Sequence, residues 1–142
     1  MLSTNQPVAE HWLSKPAAKE SPFVTLAKSI HPLSPEAEAY ANEKSFPIEL
    51  RKGALLVKSG EICPAMYYVR KGILRGYVKE GIKEITTWIT AEHELVTAIT
   101  SFDLQVLSVE NIQAIEDCEL TAIRFADMEY LYEHFPEVNV IG

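Results

Sequence analysis

The stretch Phe46–Thr90, "FPIELRKGALLVKSGEICPAMYYVRKGILRGYVKEGIKEITTWIT", decides the fold. It is rich in β-branched and aromatic residues, and turn signals cut it at Lys52-Gly53, Ser59-Gly60-Glu61, Lys71-Gly72 and Glu80-Gly81. Turns spaced about 8 to 12 residues apart predict an all-β sandwich or barrel. Within "ILRGYVK" (73–79), Leu74, Gly76 and Val78 share one face, and Arg75 and Lys79 share the other. That alternation is the mark of an antiparallel strand with one buried face. Gly60, Gly72 and Gly81 stand where tight turns call for positive φ, which side chains resist and glycine does not.

Upstream the period changes. "SPFVTLAKSI" (21–30) carries Phe23, Leu26, Ala27 and Ile30 at helical spacing. "SPEAEAYANEK" (34–44) opens a second helix, with Ser34 as N-cap, Pro35 in the first turn and Glu36 at the positive end of the dipole. Residues 1–20 are polar and without a period; they are expected to form a flexible arm, with Trp12 and Leu13 able to dock on a domain that spans 21–142. Downstream, "NIQAIE" (111–116) and "CELTAIRF" (118–125) are expected to pair with each other across Glu116-Asp117. "ADMEYLYEHF" (126–135) carries an apolar stripe of Met128, Leu131, Tyr132 and Phe135, and Pro136 stops it. The predicted order is two helices, about eight short strands and one helix, a mainly β fold with flanking helices.

Composition excludes several classes. A net charge of −7 and a pI near 5.1 weigh against DNA binding by this chain alone, because phosphate affinity comes largely from Lys and Arg. Lys71, Arg75 and Lys79 are read as a solvated face along one strand. No apolar run reaches the roughly 18 residues of a membrane span, and the first residues lack the pattern of a secretory signal, so the expected location is the cytoplasm with no membrane partner. Of the two cysteines, Cys63 beside Pro64 is expected to be exposed in a turn and Cys118 to be a small core residue. The four histidines, His11, His31, His93 and His134, are scattered, with no His-x-His of a metal-binding β-barrel. Two cysteines are too few for an iron–sulfur sensor. No P-loop, GxGxxG or Gly-x-Ser-x-Gly occurs, and Glu92 and Glu94 have no evident partner acid or nucleophile. No enzyme and no metal site are therefore expected, a metal-dependent β-barrel enzyme being a remote alternative.

"LRKGALLVKSGEICPAMYYVRKGILRGYV" (50–78), "HELVTAITSF" (93–102), "ENIQAIEDCELTAI" (110–123) and "ADMEYLYEHFPE" (126–137), in this order, resemble the sensor domain of Crp/Fnr-type transcription regulators. The resemblance covers roughly residues 22–142. It implies the cyclic-nucleotide-binding fold, an antiparallel double-stranded β-helix or jelly roll. The "IQAIEDCEL" and "FPE" strings look closest to the branch common in Bacteroidetes-type bacteria. Family members that bind cyclic AMP hold it with Gly-Glu-Leu and, further on, Arg-Ser/Thr-Ala. The glycine lets backbone N–H groups approach the phosphate, the glutamate accepts from the ribose hydroxyl, and the arginine neutralises the phosphate. This chain has His93-Glu94-Leu95 and then Ser108-Val109-Glu110, with no Lys or Arg between Lys83 and Arg124.

The cassette thus keeps Glu94 and Leu95 but has neither glycine nor arginine, and tight cyclic AMP binding is not expected. The candidate ligand pocket is Trp88, Glu94, Leu95, Thr97, Ser101, Ser108 and Val109, with Thr100 as a further hydroxyl. The alternative reading makes them turn and cap residues around an occluded core. No cofactor is assigned; a cyclic nucleotide or another small molecule is the effector class left open. In the resembled regulators a long dimerisation helix and a helix-turn-helix follow the "FPE" element. The sequence given ends at "PEVNVIG", so no recognition helix is expected in it. Two functions stand side by side. One is a sensory domain that moves its terminal helix (126–135) in response to a ligand. The other is a ligand-free β-roll that pairs with another chain, or with itself, through the C-terminal helix and an apolar stripe of Leu131, Phe135, Val138, Val140 and Ile141.

Overall fold

The structure, a computed structural model, describes residues 20–141; the expected arm, with Trp12 and Leu13, lies outside the described residues apart from Glu20. Two helices come first, α1 (Pro22–Lys28) and α2 (Pro35–Lys44). Each starts as its sequence dictates: Ser21 Oγ accepts from Phe23 N at 3.2 Å, Ser34 Oγ accepts from Ala37 N at 3.2 Å, and a proline fills the first turn of both. The strands follow as β1 (Phe46–Leu50), β2 (Leu55–Val57), β3 (Ala65–Lys71), β4 (Leu74–Glu80), β5 (Lys83–Thr90) and β6 (Leu95–Val96). A short helix α3 (Ile99–Leu104) precedes β7 (Asn111–Ala114) and β8 (Cys118–Arg124), and α4 (Phe125–His134) and α5 (Pro136–Ile141) follow.

The strands form two four-stranded antiparallel sheets, ordered β1-β8-β3-β6 and β2-β7-β4-β5. Their facing sides supply the main core: Leu50, Tyr67, Val69, Leu120 and Ala122 from one sheet, Val57, Leu74, Ile112 and Ala114 from the other. Strand β8 is buried on both faces. Leu120 and Ala122 face the opposite sheet, while Ile123 on the other face meets Val24, Ala41 and Leu131 of α1, α2 and α4 in a second cluster. Gly60, Gly72 and Gly81 have φ of 90°, 105° and 65°, as their turns require.

The structure corrects several expectations. β7 and β8 do not pair with each other; β7 pairs with β2 and β4, and β8 with β1 and β3. A two-residue hairpin needs positive φ, and among non-glycine described residues only His93 and Gln105 have it, so Glu116-Asp117 makes a crossing between sheets instead. Asp117 fixes that crossing by accepting from Lys52 N at 2.8 Å. Lys71 ends β3 and does not lie on one strand with Arg75 and Lys79. Cys63 is fully buried, not exposed, because its N–H donates to Ser101 Oγ at 2.8 Å and its thiol lies 3.2 Å from Thr97 Oγ1. In α1 the buried residue is Val24, and Ile30 lies beyond the helix and exposed. Pro136 ends α4 as expected but also begins α5. The apolar stripe proposed as a docking face is mostly used internally: Leu131 is buried, and Phe135 and Val138 pack against the second cluster.

Candidate functional site

Strand β5 carries one more residue than its partner opposite the centre of β4: Gly76 pairs with Trp88 and Tyr77 with Thr86, so Thr87 is a bulge. The Thr87 hydroxyl donates to Gly76 O at 3.2 Å. A bulge re-aims neighbouring side chains, and here the indole of Trp88 lies across Gly76, where a Cβ would sit 2.1 Å from its ring. The ring forms one wall of a cavity of about 550 Å³. The segment from Leu95 to Ser101 and the segment from Leu107 to Glu110 form the others, with Met66 and Thr90. At its mouth Leu95, Ile99, Leu107 and Val109 are 51%, 67%, 62% and 82% exposed.

Six of the seven expected pocket residues, Trp88, Leu95, Thr97, Ser101, Ser108 and Val109, line this cavity, as does Thr100. Glu94 does not. Its carboxylate accepts from the Thr90 hydroxyl and from Ala91 N at 3.1 Å. These hydrogen bonds, Thr90 first, hold its pKa below the ordinary carboxylate value. Sequence reasoning missed Met66, Thr90, Val96, Ala98, Ile99, Leu107 and Glu110 as lining residues, Glu110 having entered only as part of the cassette string. The apolar ones carry no polar group to mark them in the sequence as ligand contacts.

Several hydroxyls around the cavity are already engaged. Thr97 Oγ1 donates to Ala65 O at 2.9 Å. Ser101 Oγ accepts from Cys63 N and donates to Val106 O at 2.5 Å. Ser108 Oγ accepts from Glu110 N at 3.1 Å and donates to Glu110 O at 2.8 Å, fixing the backbone of Glu110. Among the described residues Glu110 is the one charged residue on the cavity wall, and its Oε1 accepts from Trp88 Nε1 at 2.9 Å. No Lys or Arg among the described residues lines the cavity. Arg75 is committed elsewhere: Nε donates to Gln113 Oε1 at 2.9 Å, Nη1 to Thr86 at 2.9 Å, and Nη2 pairs with Glu84 at 2.5 Å. Its guanidinium lies over the Tyr77 ring, 4.1 Å from the centroid.

His93 stands where the resembled cassette has glycine, and its backbone keeps the glycine conformation, with φ 73°. Its N–H donates to Val69 O at 2.7 Å and its Nδ1 lies 2.9 Å from the Tyr68 hydroxyl. A non-glycine residue in this region is strained, whereas glycine adds unfolded-state entropy. The first effect wins because the Tyr68 contact is exposed. His93→Gly should raise stability by about 0.5–1 kcal/mol in a urea melt; a loss of stability would show that the Tyr68 contact outweighs the strain.

Among the described residues, no group of three or more His, Cys, Asp or Glu could hold a metal ion, and no helix is long and apolar enough to cross a membrane.

Comparison with known proteins places this geometry. The family model for the cyclic nucleotide-binding domain matches residues 47–135. No curated protein matches significantly. Among solved structures, the chain is similar to the catabolite activator protein of Thermus thermophilus, at 26% identity and TM-score 0.65, over 84% of this chain and 53% of that one. It therefore spans about half the length of that protein. It is also similar to the sensor domain of the transcriptional regulator DNR from Pseudomonas aeruginosa, at 20% identity and TM-score 0.70, over 83% of this chain and 81% of that one. A third similar fold is the N-terminal domain of a transcriptional regulator from Streptomyces coelicolor A3(2), at 18% identity and TM-score 0.65, over 85% and 80% of the two chains.

Proposed function

Because the chain belongs to the cyclic nucleotide-binding domain family, we propose that it is the small-molecule-sensing part of a Crp/Fnr-type regulator whose cavity does not take cyclic AMP tightly. The "IQAIEDCEL" and "FPE" strings support a place in the Bacteroidetes-type branch. One observation carries the ligand reading: among the described residues the cavity wall has a carboxylate, Glu110, and no cation. A buried phosphate without its cation loses roughly 3–5 kcal/mol, on the order of a thousandfold in affinity. By itself the chain, at net charge −7, is not a DNA reader. The signal would leave through α4, which ligand can bias only by differential affinity for two states.

Calorimetric titration tests this. Wild type should bind cyclic AMP no tighter than millimolar. The double substitution Ser108→Arg with Glu110→Ala, which returns the arginine and removes the repulsion, should tighten it by roughly 10–100-fold, the worth of one charge-assisted pair. Micromolar binding by the wild type would sink the reading.

A second reading is favoured by the exposed apolar residues at the cavity mouth, Leu95, Ile99, Leu107 and Val109. In it the β-roll binds another protein chain and no small molecule. Sedimentation that stays monomeric at every concentration, together with ligand binding in the cavity, would remove it.

A further inference from the structure

Resting on the reading of the cavity as a ligand site without a cation, we propose that it is built for an apolar molecule carrying a protonated amine, with Glu110 as the counter-ion. Three observations converge on this. The cavity, of about 550 Å³, is walled mainly by apolar side chains, among them Trp88, Leu95, Ile99, Leu107 and Val109. That size falls in the range of sites that enclose small organic molecules. Among the described residues its one charged wall residue is a half-buried carboxylate whose Oε1 is taken by the Trp88 indole, while no donor among them reaches Oε2. The Glu110 backbone is clamped at both N–H and C=O by Ser108 Oγ and its carboxylate is held by the Trp88 indole, so the carboxylate is positioned before any ligand arrives.

An ammonium head offers that oxygen a charge-assisted hydrogen bond, stronger than a neutral one. A carboxylate or phosphate head meets like charge in an apolar surround, where screening is weak. Hydroxyl heads find few free partners, since Thr97, Ser101 and Ser108 already bond to backbone groups. Charge at the wall therefore selects the head group, and the apolar walls select the body.

The test uses three probes with one body and three heads, 4-phenylbutylamine, 4-phenylbutanol and 4-phenylbutyrate, at neutral pH. The readout is the indole N–H resonance of Trp88. The chain has two tryptophans, and the Trp88 signal is the one that Trp88→Phe removes. In the wild type the amine should bind at least about tenfold tighter than the carboxylate, with the alcohol between them. Glu110→Gln keeps an acceptor for the indole and removes the charge, and the ranking should collapse to within about twofold. Equal or reversed affinities in the wild type would overturn the proposal, as would a ranking that survives Glu110→Gln, or no shift of the Trp88 signal by any probe at millimolar concentration. The ranking in the wild type needs no variant to fold. A cyclic AMP titration on the same sample separates the two claims. Tight cyclic AMP binding sinks the reading of a cavity without a phosphate partner, whatever the probes do. A failed head-group ranking without cyclic AMP binding sinks only the amine.

Discussion

Leu120→Ala should destabilise the domain by about 3–5 kcal/mol, the upper part of the range for emptying a core leucine site. Leu120 is fully buried on β8, with Ile48 of β1 on one side in the sheet and Val69 of β3 on the other. Its side chain reaches into the space between the two sheets, where Ile112 and Leu74 of the facing sheet are also fully buried. A strand paired on both edges and covered on both faces has little freedom to move inward and fill the gap. Against a whole-domain stability of about 5–15 kcal/mol, the loss is a large fraction. In urea the midpoint should fall with the slope unchanged. A loss under about 1 kcal/mol would mean that the sheets collapse onto the gap after all.

Gly76→Ala should destabilise by about 2–4 kcal/mol and also empty the candidate site of its wall. The new methyl would lie 2.1 Å from the Trp88 ring, far inside contact distance, so the indole must leave its place over β4. Leaving breaks the bond from Nε1 to Glu110 and frees a carboxylate positioned to receive it. The decisive measurement is a double-mutant cycle with Trp88→Ala. Once the ring is gone, Gly76→Ala should cost little, giving a coupling of about 1–3 kcal/mol. Additive losses would mean that Trp88 tolerates the methyl and the clash is relieved by the backbone.

What could be read from the chain, and what could not, divides along physical lines. Strands β3, β4 and β5 were legible because alternation and turn glycines are local signals. Which strand pairs with which was not, since alternation names faces and not neighbours; that is why β7 and β8 were wrongly paired. Helix α3 left no trace. Its N-cap, Ala98, makes no side-chain capping bond, its first turn carries no acidic residue and its last turn no basic one to mark the dipole. Cys63 looked like a turn residue because of Pro64, and the distant hydroxyls of Ser101 and Thr97 explain its burial. At the site, the resemblance brought Trp88, Leu95, Thr97, Ser101, Ser108 and Val109 into view together. It also brought in Glu94, which turns to Thr90 and Ala91 instead, because a short reach to neighbouring donors beats a long one into an apolar cavity.

Met66 touches both halves of the molecule. It lines the cavity, and it packs against the cluster that holds Ile123 and Leu131 beneath α4. Coupling through such a contact is reciprocal: the factor by which an occupant of the cavity shifts the seat of α4 equals the factor by which anything gripping α4 shifts affinity for that occupant. On the proposed function, a partner holding α4 would be an effector of the cavity as much as a receiver of its signal. Binding constants for the isolated domain and for the domain held at α4 need not agree, and their ratio measures the strength of the link.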